Sequence, residues 1–177
     1  PTYPKIDILL EHCQNKQINL FGVSAKYIDH LKNEKFNNKH LDLSSIKIIT
    51  STGSPLAEES FKYIYENIKK DVQLSSIAGG TDMVGCLVLG NLYSGVYKGE
   101  IQGQSLAIDI DVFTNEGEST KDGEKGELVV KQPFPSMPIK FWGDVNGDKY
   151  HKAYFTRFKN IWHHGDFIER TTNNGFI

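Results

Sequence analysis

The sequence predicts an α/β fold, in which part of a parallel-sheet α/β subdomain is followed by a β-rich, distorted barrel-like subdomain. In residues 1–83, short apolar strands alternate with stretches of helical periodicity, which is typical of parallel strands joined by helical crossovers. In residues 84–177, three apolar strand segments follow one another without a helix between them. We therefore predict two portions of one larger domain, with the boundary between residues 83 and 84.

The first half of the α/β part contains two helices and one strand. Residues 4–15 have apolar side chains at helical spacing, among them Leu10 and Cys13, and "INLFGVSA" follows as a short buried strand. Ser24 stands where an N-cap belongs, because its hydroxyl can accept a hydrogen bond from a free backbone N–H. It precedes a second helix, "AKYIDHLKNEKF", whose apolar side includes Tyr27 and Leu31.

The second half of the α/β part repeats the alternation. "SIKIITST" is a strand that Gly53 and Pro55 interrupt. The next stretch has apolar residues at helical spacing, with acidic residues near its start and lysines near its end, as the helix dipole favours. "VQLSSI" is predicted to be the third strand.

The β-rich part is predicted from alternation and turn chemistry. Its strand segments are "VGCLVLG", "LAIDIDVF" and "GELVVKQ". The turn "DGEKG" fits a hairpin, since Asp-Gly tolerates the positive φ values that such turns need. Within "LAIDIDVF", the apolar residues alternate with Asp109 and Asp111. We expect these two carboxylates to lie on a polar strand face rather than to form a catalytic pair.

The composition excludes several classes of protein. The 177 residues carry a net charge of −2, so the chain lacks the excess of positive charge that is typical of nucleic-acid-binding proteins. No apolar run approaches the length of a membrane span. Cys13 and Cys86 are too few for a disulfide framework, which predicts reduced thiols and a cytoplasmic protein. The chain lacks an initiator Met and a signal peptide, and we expect an incomplete piece of a larger protein.

Two glycine-bearing segments follow strands of the α/β part and are candidate ligand-binding loops. They are "STGSPL" and "AGGTD", and in open parallel sheets ligands bind beyond the carboxyl ends of the strands. Thr81 offers a hydroxyl to a phosphate, and Asp82 offers oxygen ligands to Mg²⁺. A plainer alternative stays open, in which Gly79 and Gly80 only make a turn that Asp82 caps.

An ordered set of motifs resembles a known family. The motifs are "STGSPL", "GGTDMVG", "GEIQG", "GELVVKQPFPSMPIKFW", "YHKAYF" and "WHHGDF". Together they resemble the acetoacetate–CoA ligases of the adenylate-forming acyl-CoA synthetase superfamily. The resemblance extends from "FGVSAKYI" to the C-terminus, and the ordered set, with "FW" shortly after "PSMP", is its most specific part.

The resemblance implies a two-step reaction with ATP, Mg²⁺ and coenzyme A. Acetoacetate would attack the α-phosphorus of ATP, and the thiol of coenzyme A would then displace AMP. By similarity, Gly53, Ser54 and Pro55 would lie along the adenine. With Gly80 beside it, Thr81 would contact the α-phosphate. Asp82 would stand where most relatives carry a Mg²⁺-binding Glu, which makes Thr81 and Asp82 the expected catalytic residues.

The resemblance also assigns a ribose-binding residue and an acyl pocket. Asp166 would accept hydrogen bonds from both ribose hydroxyls, a task that suits an acceptor with two oxygens. Gly79 matches a Trp that closes the acyl pocket of acetyl-CoA synthetases, so glycine would leave room for a longer acid. Tyr27 and Phe21 would line the same region, although an apolar helix face also explains both residues.

The remaining polar and aromatic residues receive structural interpretations. His163 and His164 adjoin Asp166 without the partner spacing of a zinc site. We expect either that both rings are partly exposed or that one of them faces the nucleotide. Trp142 and Trp162 are interpreted as core or interface residues. Cys86 is interpreted as a buried thiol in a strand rather than a nucleophile.

The resemblance also predicts what the chain does not contain. The family's phosphate loop would lie upstream, and the ribose-binding Arg and the C-terminal domain with its adenylation Lys would lie downstream. The chain is thus expected to be a central, nearly inactive fragment whose partners are the other parts of the same enzyme. Two alternatives remain open: another acyl- or aryl-acid ligase of the superfamily, or a non-catalytic nucleotide-binding or interaction domain on the same scaffold.

Overall fold

The computed structural model describes all residues from Pro1 to Ile177. Its helices and strands are, in chain order, α1 (Ile8–Lys16), β1 (Leu20–Ser24), α2 (Ala25–Asn33), β2 (Ile48–Thr52), α3 (Glu58–Tyr63), a π-helical turn (Ile64–Ile68), β3 (Gln73–Ser76), β4 (Ala78–Gly80), β5 (Gly85–Leu89), β6 (Gly103–Gln104), β7 (Ile110–Phe113), β8 (Lys125–Val130), α4 (Asp148–Tyr154) and β9 (Trp162–Glu169). The chain divides into two compact units, one of residues 1–77 and 90–102, the other of residues 78–89 and 103–177.

The first unit contains the predicted parallel sheet. Its strands lie in the order β1-β2-β3, and both pairs are parallel. Leu20 pairs with Ile48, which in turn pairs with Gln73, so all three strands end at the same edge. The prediction of a parallel α/β part is confirmed.

The second helix of the first unit begins and packs as the sequence predicts. The hydroxyl of Ser24 accepts a hydrogen bond of 3.1 Å from the backbone N–H of Tyr27, which makes Ser24 the N-cap of α2. Ile28 and Leu31 of α2 are each 1% exposed in the core of this unit. The third helix was predicted as one stretch, whereas the structure ends α3 at Tyr63 and continues in a π-helical turn.

A segment of the predicted β-rich part packs with the first unit instead. Residues 90–102 belong to the same compact unit as the parallel sheet. The buried amide of Gln102 donates to the carbonyl oxygens of Asn91 and Ser94, and Gln73 of β3 donates to the same Asn91 carbonyl at 2.7 Å. The compact units therefore do not follow a single cut of the chain, and the domain boundary at residues 83 and 84 stays a prediction.

The second unit contains two antiparallel three-stranded sheets. One has the order β4-β5-β6 and the other the order β7-β8-β9. Both are open, so the β-rich part is not a closed barrel. The three predicted strand segments correspond to β5, β7 and β8, and Gly123 of the predicted turn has a φ of +83°.

Four elements of the second unit were not predicted. They are β4, β6, β9 and α4, of which α4 follows Gly147 with its φ of +77°. The prediction that "AGGTD" forms a loop is wrong for its first half, because Gly79 and Gly80 lie in β4. Thr81–Val84 alone form the turn to β5.

The predicted exposed face of "LAIDIDVF" is also wrong for Asp111. Asp111 is 7% exposed, and its carboxylate accepts hydrogen bonds from Ser119 at 2.7 Å and from Arg170 at 2.9 Å. The hydrogen bonds from these partners offset the cost of removing the carboxylate from water, so Asp111 can be buried there. Asp109 keeps 47% of its side chain exposed, as expected.

No helix in the structure combines the length and the apolar character needed to cross a membrane.

Candidate functional site

Asp82, the predicted cation ligand, is held by a hydrogen bond from the last residue of α4. It lies in the exposed turn between β4 and β5, and its Oδ2 accepts a hydrogen bond from the hydroxyl of Tyr154. Burial and then the hydrogen bond to Asp82 raise the pKa of Tyr154 well above its usual range. At neutral pH the phenol is therefore protonated and acts as the donor.

The other carboxylate oxygen of Asp82 lies over a backbone without a side chain. A Cβ on Gly80 would overlap Oδ1 of Asp82 and would lie 3.3 Å from Cε1 of His164. Glycine at this position thus leaves space for the carboxylate and for the imidazole. The predicted phosphate-contacting residue, Thr81, is exposed in the same turn.

His164 connects this turn with the predicted ribose-binding residue. Its Nε2 lies 3.6 Å from Oδ2 of Asp166, and its side chain is 8% exposed. Asp166 keeps 52% of its side chain exposed, so its oxygens remain accessible to a ligand. Gly165, which precedes it, has a φ of +95°, and no atom lies within 4 Å of a Cβ built on it.

An aromatic cluster supports both carboxylates. The ring of Tyr154 stacks on Trp162 with 3.7 Å between ring centroids and 12° between ring planes. Trp162 is 1% exposed, and its indole N–H donates to Nδ1 of His164 at 3.4 Å. A continuous set of contacts therefore runs from Asp82 through Tyr154, Trp162 and His164 to Asp166.

Gly79 borders the partner strand rather than open space on the side where a side chain would project. A Cβ there would overlap the carbonyl oxygen of Gly85 and would lie 2.5 Å from Cα of Cys86. The pairing of β4 with β5 shifts register at this point, between Ala78 and Gly79. Glycine has a packing reason at this position that is independent of any substrate.

Within the first unit, the predicted adenine-binding residues form an exposed loop after β2. Gly53, Ser54 and Pro55 are all exposed, and Gly53 has a φ of +86°. No atom lies within 4 Å of a Cβ built on Gly53. The loop thus presents bare backbone beyond the carboxyl end of a parallel strand, where ligands of such sheets bind.

Tyr27, the predicted acyl-pocket residue, lies in the core of the first unit. It is 5% exposed, and its ring meets Phe21 edge to face with 6.2 Å between centroids. Its hydroxyl is buried without a hydrogen-bond partner, which is uncommon for a buried polar atom. Burial raises the pKa of Tyr27 to about 12.

His163, which precedes His164 in the chain, has different partners from His164. His163 bonds at 2.8 Å through Nε2 to Glu127, a carboxylate of β8 that also pairs with Arg157. Glu127 is 8% exposed, so its buried carboxylate is held by the partly exposed His163 and the exposed Arg157. It contacts none of the predicted site residues.

Two other singled-out residues lie outside the site. Trp142 is fully exposed, and a cavity of about 310 Å³ is lined by residues 140–145 around it. None of the predicted site residues lines this cavity. Cys86 is half-buried in β5, and burial raises the pKa of its thiol, in keeping with a structural thiol.

Sequence reasoning missed three residues of this arrangement. No sequence pattern predicts a role for Tyr154. Trp162 is predicted to be a core or interface residue, and His164 to be a partly exposed ring or to face the nucleotide. Trp162 is indeed buried, but it also carries the stack under Tyr154. The motifs "YHKAYF" and "WHHGDF" contain all three residues. The occurrence of both motifs in the family resemblance was therefore the sequence signal that could have identified these residues.

One solved structure shares the fold of the chain at low sequence identity. The anthranilate CoA ligase AuaEII, solved in complex with anthranoyl-AMP, superposes on 97% of the chain with a TM-score of 0.78 at 14% identity, and the match covers 31% of that ligase. At this identity the likeness concerns the fold alone. No family model matches the chain.

Closer comparisons identify particular homologues. The chain is 49% identical over its whole length to the acetoacetyl-coenzyme A synthetase of Rhizobium meliloti, of which it covers 27%. It superposes over its whole length on the acetoacetyl-CoA synthetase of Streptomyces lividans with a TM-score of 0.92 at 34% identity, covering 28% of that protein. The chain is thus homologous to acetoacetyl-CoA synthetases and spans about a quarter of the length of the curated relatives it matches.

Proposed function

We propose that this chain is a segment of an AMP-forming, ATP-dependent acetoacetate–CoA ligase. The observation that carries the proposal is the 49% identity to an acetoacetyl-coenzyme A synthetase along the entire chain. In the first step a carboxylate oxygen of acetoacetate bonds to the α-phosphorus, and pyrophosphate leaves. In the second step the sulfur of coenzyme A bonds to the acyl carbon, AMP leaves, and the thiol proton passes to solvent.

The proposal assigns nucleotide contacts to the residues that the family resemblance names, and each is argued from its own surroundings. Gly53, Ser54 and Pro55 contact the adenine, and their exposed backbone after β2 supports this assignment. Thr81, with Gly80 beside it, donates to the α-phosphate. Asp166 accepts from the ribose hydroxyls, which its half-exposed carboxylate permits.

Mg²⁺ would be held by Asp82, and the donor set fits this ion. The residues form no cluster of three metal-binding side chains, so a closed protein site is not expected. Mg²⁺ is commonly bound by one or two carboxylates together with substrate phosphates, and Asp82 offers one exposed carboxylate. When bound, the ion would neutralise charge on the phosphates as pyrophosphate leaves. Asp82 itself would hold the cation and orient it.

The acyl pocket is proposed to include Gly79 and Tyr27. The buried, unpartnered hydroxyl of Tyr27 supports its part, because such a group gains from a polar ligand atom. For Gly79 the family resemblance is the support, and the packing against Gly85 supplies a second reason for glycine. The choice of acetoacetate therefore depends on the homologues rather than on the size of this position.

We further propose a cytoplasmic location and the remaining parts of the same enzyme as partners. Cys13 and Cys86 are free thiols, which is usual in reducing compartments. The other three quarters of the homologous enzymes would supply the phosphate loop and the adenylation Lys.

Substrate profiling of the full-length protein tests the proposal. ATP–pyrophosphate exchange and thioester formation are measured with acetoacetate, acetate, propionate and an aryl acid. We expect the highest kcat/KM with acetoacetate. Preference for another acid would support a different ligase of the superfamily. Nucleotide binding without exchange for any acid would support a non-catalytic domain.

A further inference from the structure

The hydrogen bond from Tyr154 to Asp82 joins the end of α4 to the turn between β4 and β5. The two residues are 72 positions apart, so the contact is not a local turn feature. We infer that Tyr154 is a positioning residue for Asp82. Its hydroxyl holds one carboxylate oxygen of Asp82 in place and leaves the other oxygen for a divalent cation. The inference rests on the proposed function, in which Asp82 binds Mg²⁺.

The geometry of the carboxylate supports this division between its two oxygens. Oδ2 accepts from Tyr154, whereas Oδ1 lies over the bare backbone of Gly80. Asp82 is exposed, and an exposed side chain without a partner samples several rotamers. A fixed donor on one oxygen restricts the carboxylate to one orientation before the cation arrives.

The ring of Tyr154 is itself held on several sides. Trp162 covers one face in a stack of 3.7 Å, and Trp162 is 1% exposed. Phe141 and Tyr150 contact the same ring edge to face, with centroids 5.8 and 5.5 Å away. These contacts fix the orientation of the Tyr154 ring and therefore the position of its hydroxyl.

A neighbouring tyrosine provides a matched control. Tyr150 lies one helical turn before Tyr154 in α4 and contacts the same Trp162 ring. Its hydroxyl donates to the backbone carbonyl of Pro138 and makes no contact with Asp82. Tyr150→Phe and Tyr154→Phe therefore both remove one hydroxyl from the same aromatic cluster, and only Tyr154→Phe removes the donor to Asp82.

The test compares these variants with the unaltered full-length protein. Binding of α,β-methylene-ATP, which cannot transfer its adenylyl group, is measured by calorimetry with Mg²⁺ and again with EDTA. For Tyr154→Phe we expect about tenfold weaker binding with Mg²⁺, the scale of one hydrogen bond to a charged group, and unchanged binding in EDTA. The Mg²⁺ concentration for half-maximal ATP–pyrophosphate exchange should rise by a similar factor. Tyr150→Phe should change neither quantity.

Other outcomes would overturn the inference. Equal weakening with and without Mg²⁺ would make Tyr154 a structural residue, and tighter Mg²⁺-dependent binding in Tyr154→Phe would mean that the tyrosine competes with the cation. Unchanged Mg²⁺ dependence in an active protein would overturn the inference alone. An unaltered protein with no exchange for any acid would overturn the proposed function, and the inference with it.

Discussion

A Cβ on Gly79 would overlap the carbonyl oxygen of Gly85 in the facing strand. The two strands approach this closely where their pairing shifts register. The absence of a side chain at Gly79 is therefore a condition for the β4–β5 hairpin, whose turn carries Thr81 and Asp82. The stability of this hairpin and the shape of the candidate site are linked through one glycine.

Gly79→Ala should destabilise the protein, because the added methyl group meets backbone that cannot move aside cheaply. We expect a loss of about 1–3 kcal/mol in the free energy of unfolding, the usual cost of overpacking, measured by urea denaturation. Gly85→Ala is the control, since a Cβ there meets its nearest atoms only at 3.6 Å or more. Equal stability of the two variants would show that the strands can separate at this point.

The buried carboxylate of Asp111 should make stability depend on pH. Burial alone would raise its pKa, but hydrogen bonds from Ser119, the backbone of Val112 and Arg170 outweigh burial, so the pKa lies below its ordinary value of 3.8. A lowered pKa in the folded state adds stability above pH 3.8, and this stability is lost as the pH falls below 3.8 through the folded-state pKa.

Asp111→Asn should therefore cost about 2 kcal/mol at pH 7, the scale of hydrogen bonds to a charged group. The difference from the unaltered protein should shrink below about pH 4. Denaturation midpoints between pH 7 and pH 3 measure this. Asp109→Asn is the control, because its half-exposed carboxylate pairs only with Lys131 and should have little effect. A pH-independent difference would assign the cost to packing instead of charge.

The sequence predicted those features that depend on neighbours along the chain. Ser24 was recognised as the cap of α2 because the cap and its partner, Tyr27, are three residues apart. The parallel strands were recognised from short apolar runs between helical stretches. Asp111 was misjudged because its buried state depends on Arg170, which is 59 positions away and leaves no pattern in the strand itself.

The candidate site shows the same limit. Asp82, Thr81 and Asp166 were found through family motifs, whereas the support from Tyr154 depends on a contact across 72 positions. β4 was missed because two glycines indicate a turn in sequence, and only the approach of β5 gives them a strand conformation. Side chains that act on other side chains over long separations have no local signature.

The isolated 177-residue chain should show no measurable ATP–pyrophosphate exchange with acetoacetate. The family resemblance places the phosphate loop and the adenylation Lys outside this chain, and such groups carry most of the charge stabilisation in phosphoryl transfer. The full-length protein, assayed at the same concentration, is the positive control. Robust exchange by the purified chain would contradict the proposal that it is one segment of the catalytic unit.

Asp82→Asn tests whether Asp82, in the turn between β4 and β5, has a catalytic or a structural role. The substitution keeps the size of the side chain and one acceptor oxygen for Tyr154, but it removes the charge that would hold Mg²⁺. In the full-length protein we expect adenylation to fall roughly ten- to a thousandfold, the scale of losing one electrostatic contact to the reacting group. ATP–pyrophosphate exchange measures this step.

The second half-reaction supplies the control for Asp82→Asn. Thioester formation from preformed acetoacetyl-adenylate releases AMP and no pyrophosphate, so it should suffer much less from the loss of the carboxylate. Rapid-quench measurement with coenzyme A isolates this step. An equal loss in both half-reactions would mean that Asp82 supports the turn between β4 and β5 as a structural residue. The proposed cation site would then have to be sought among other residues.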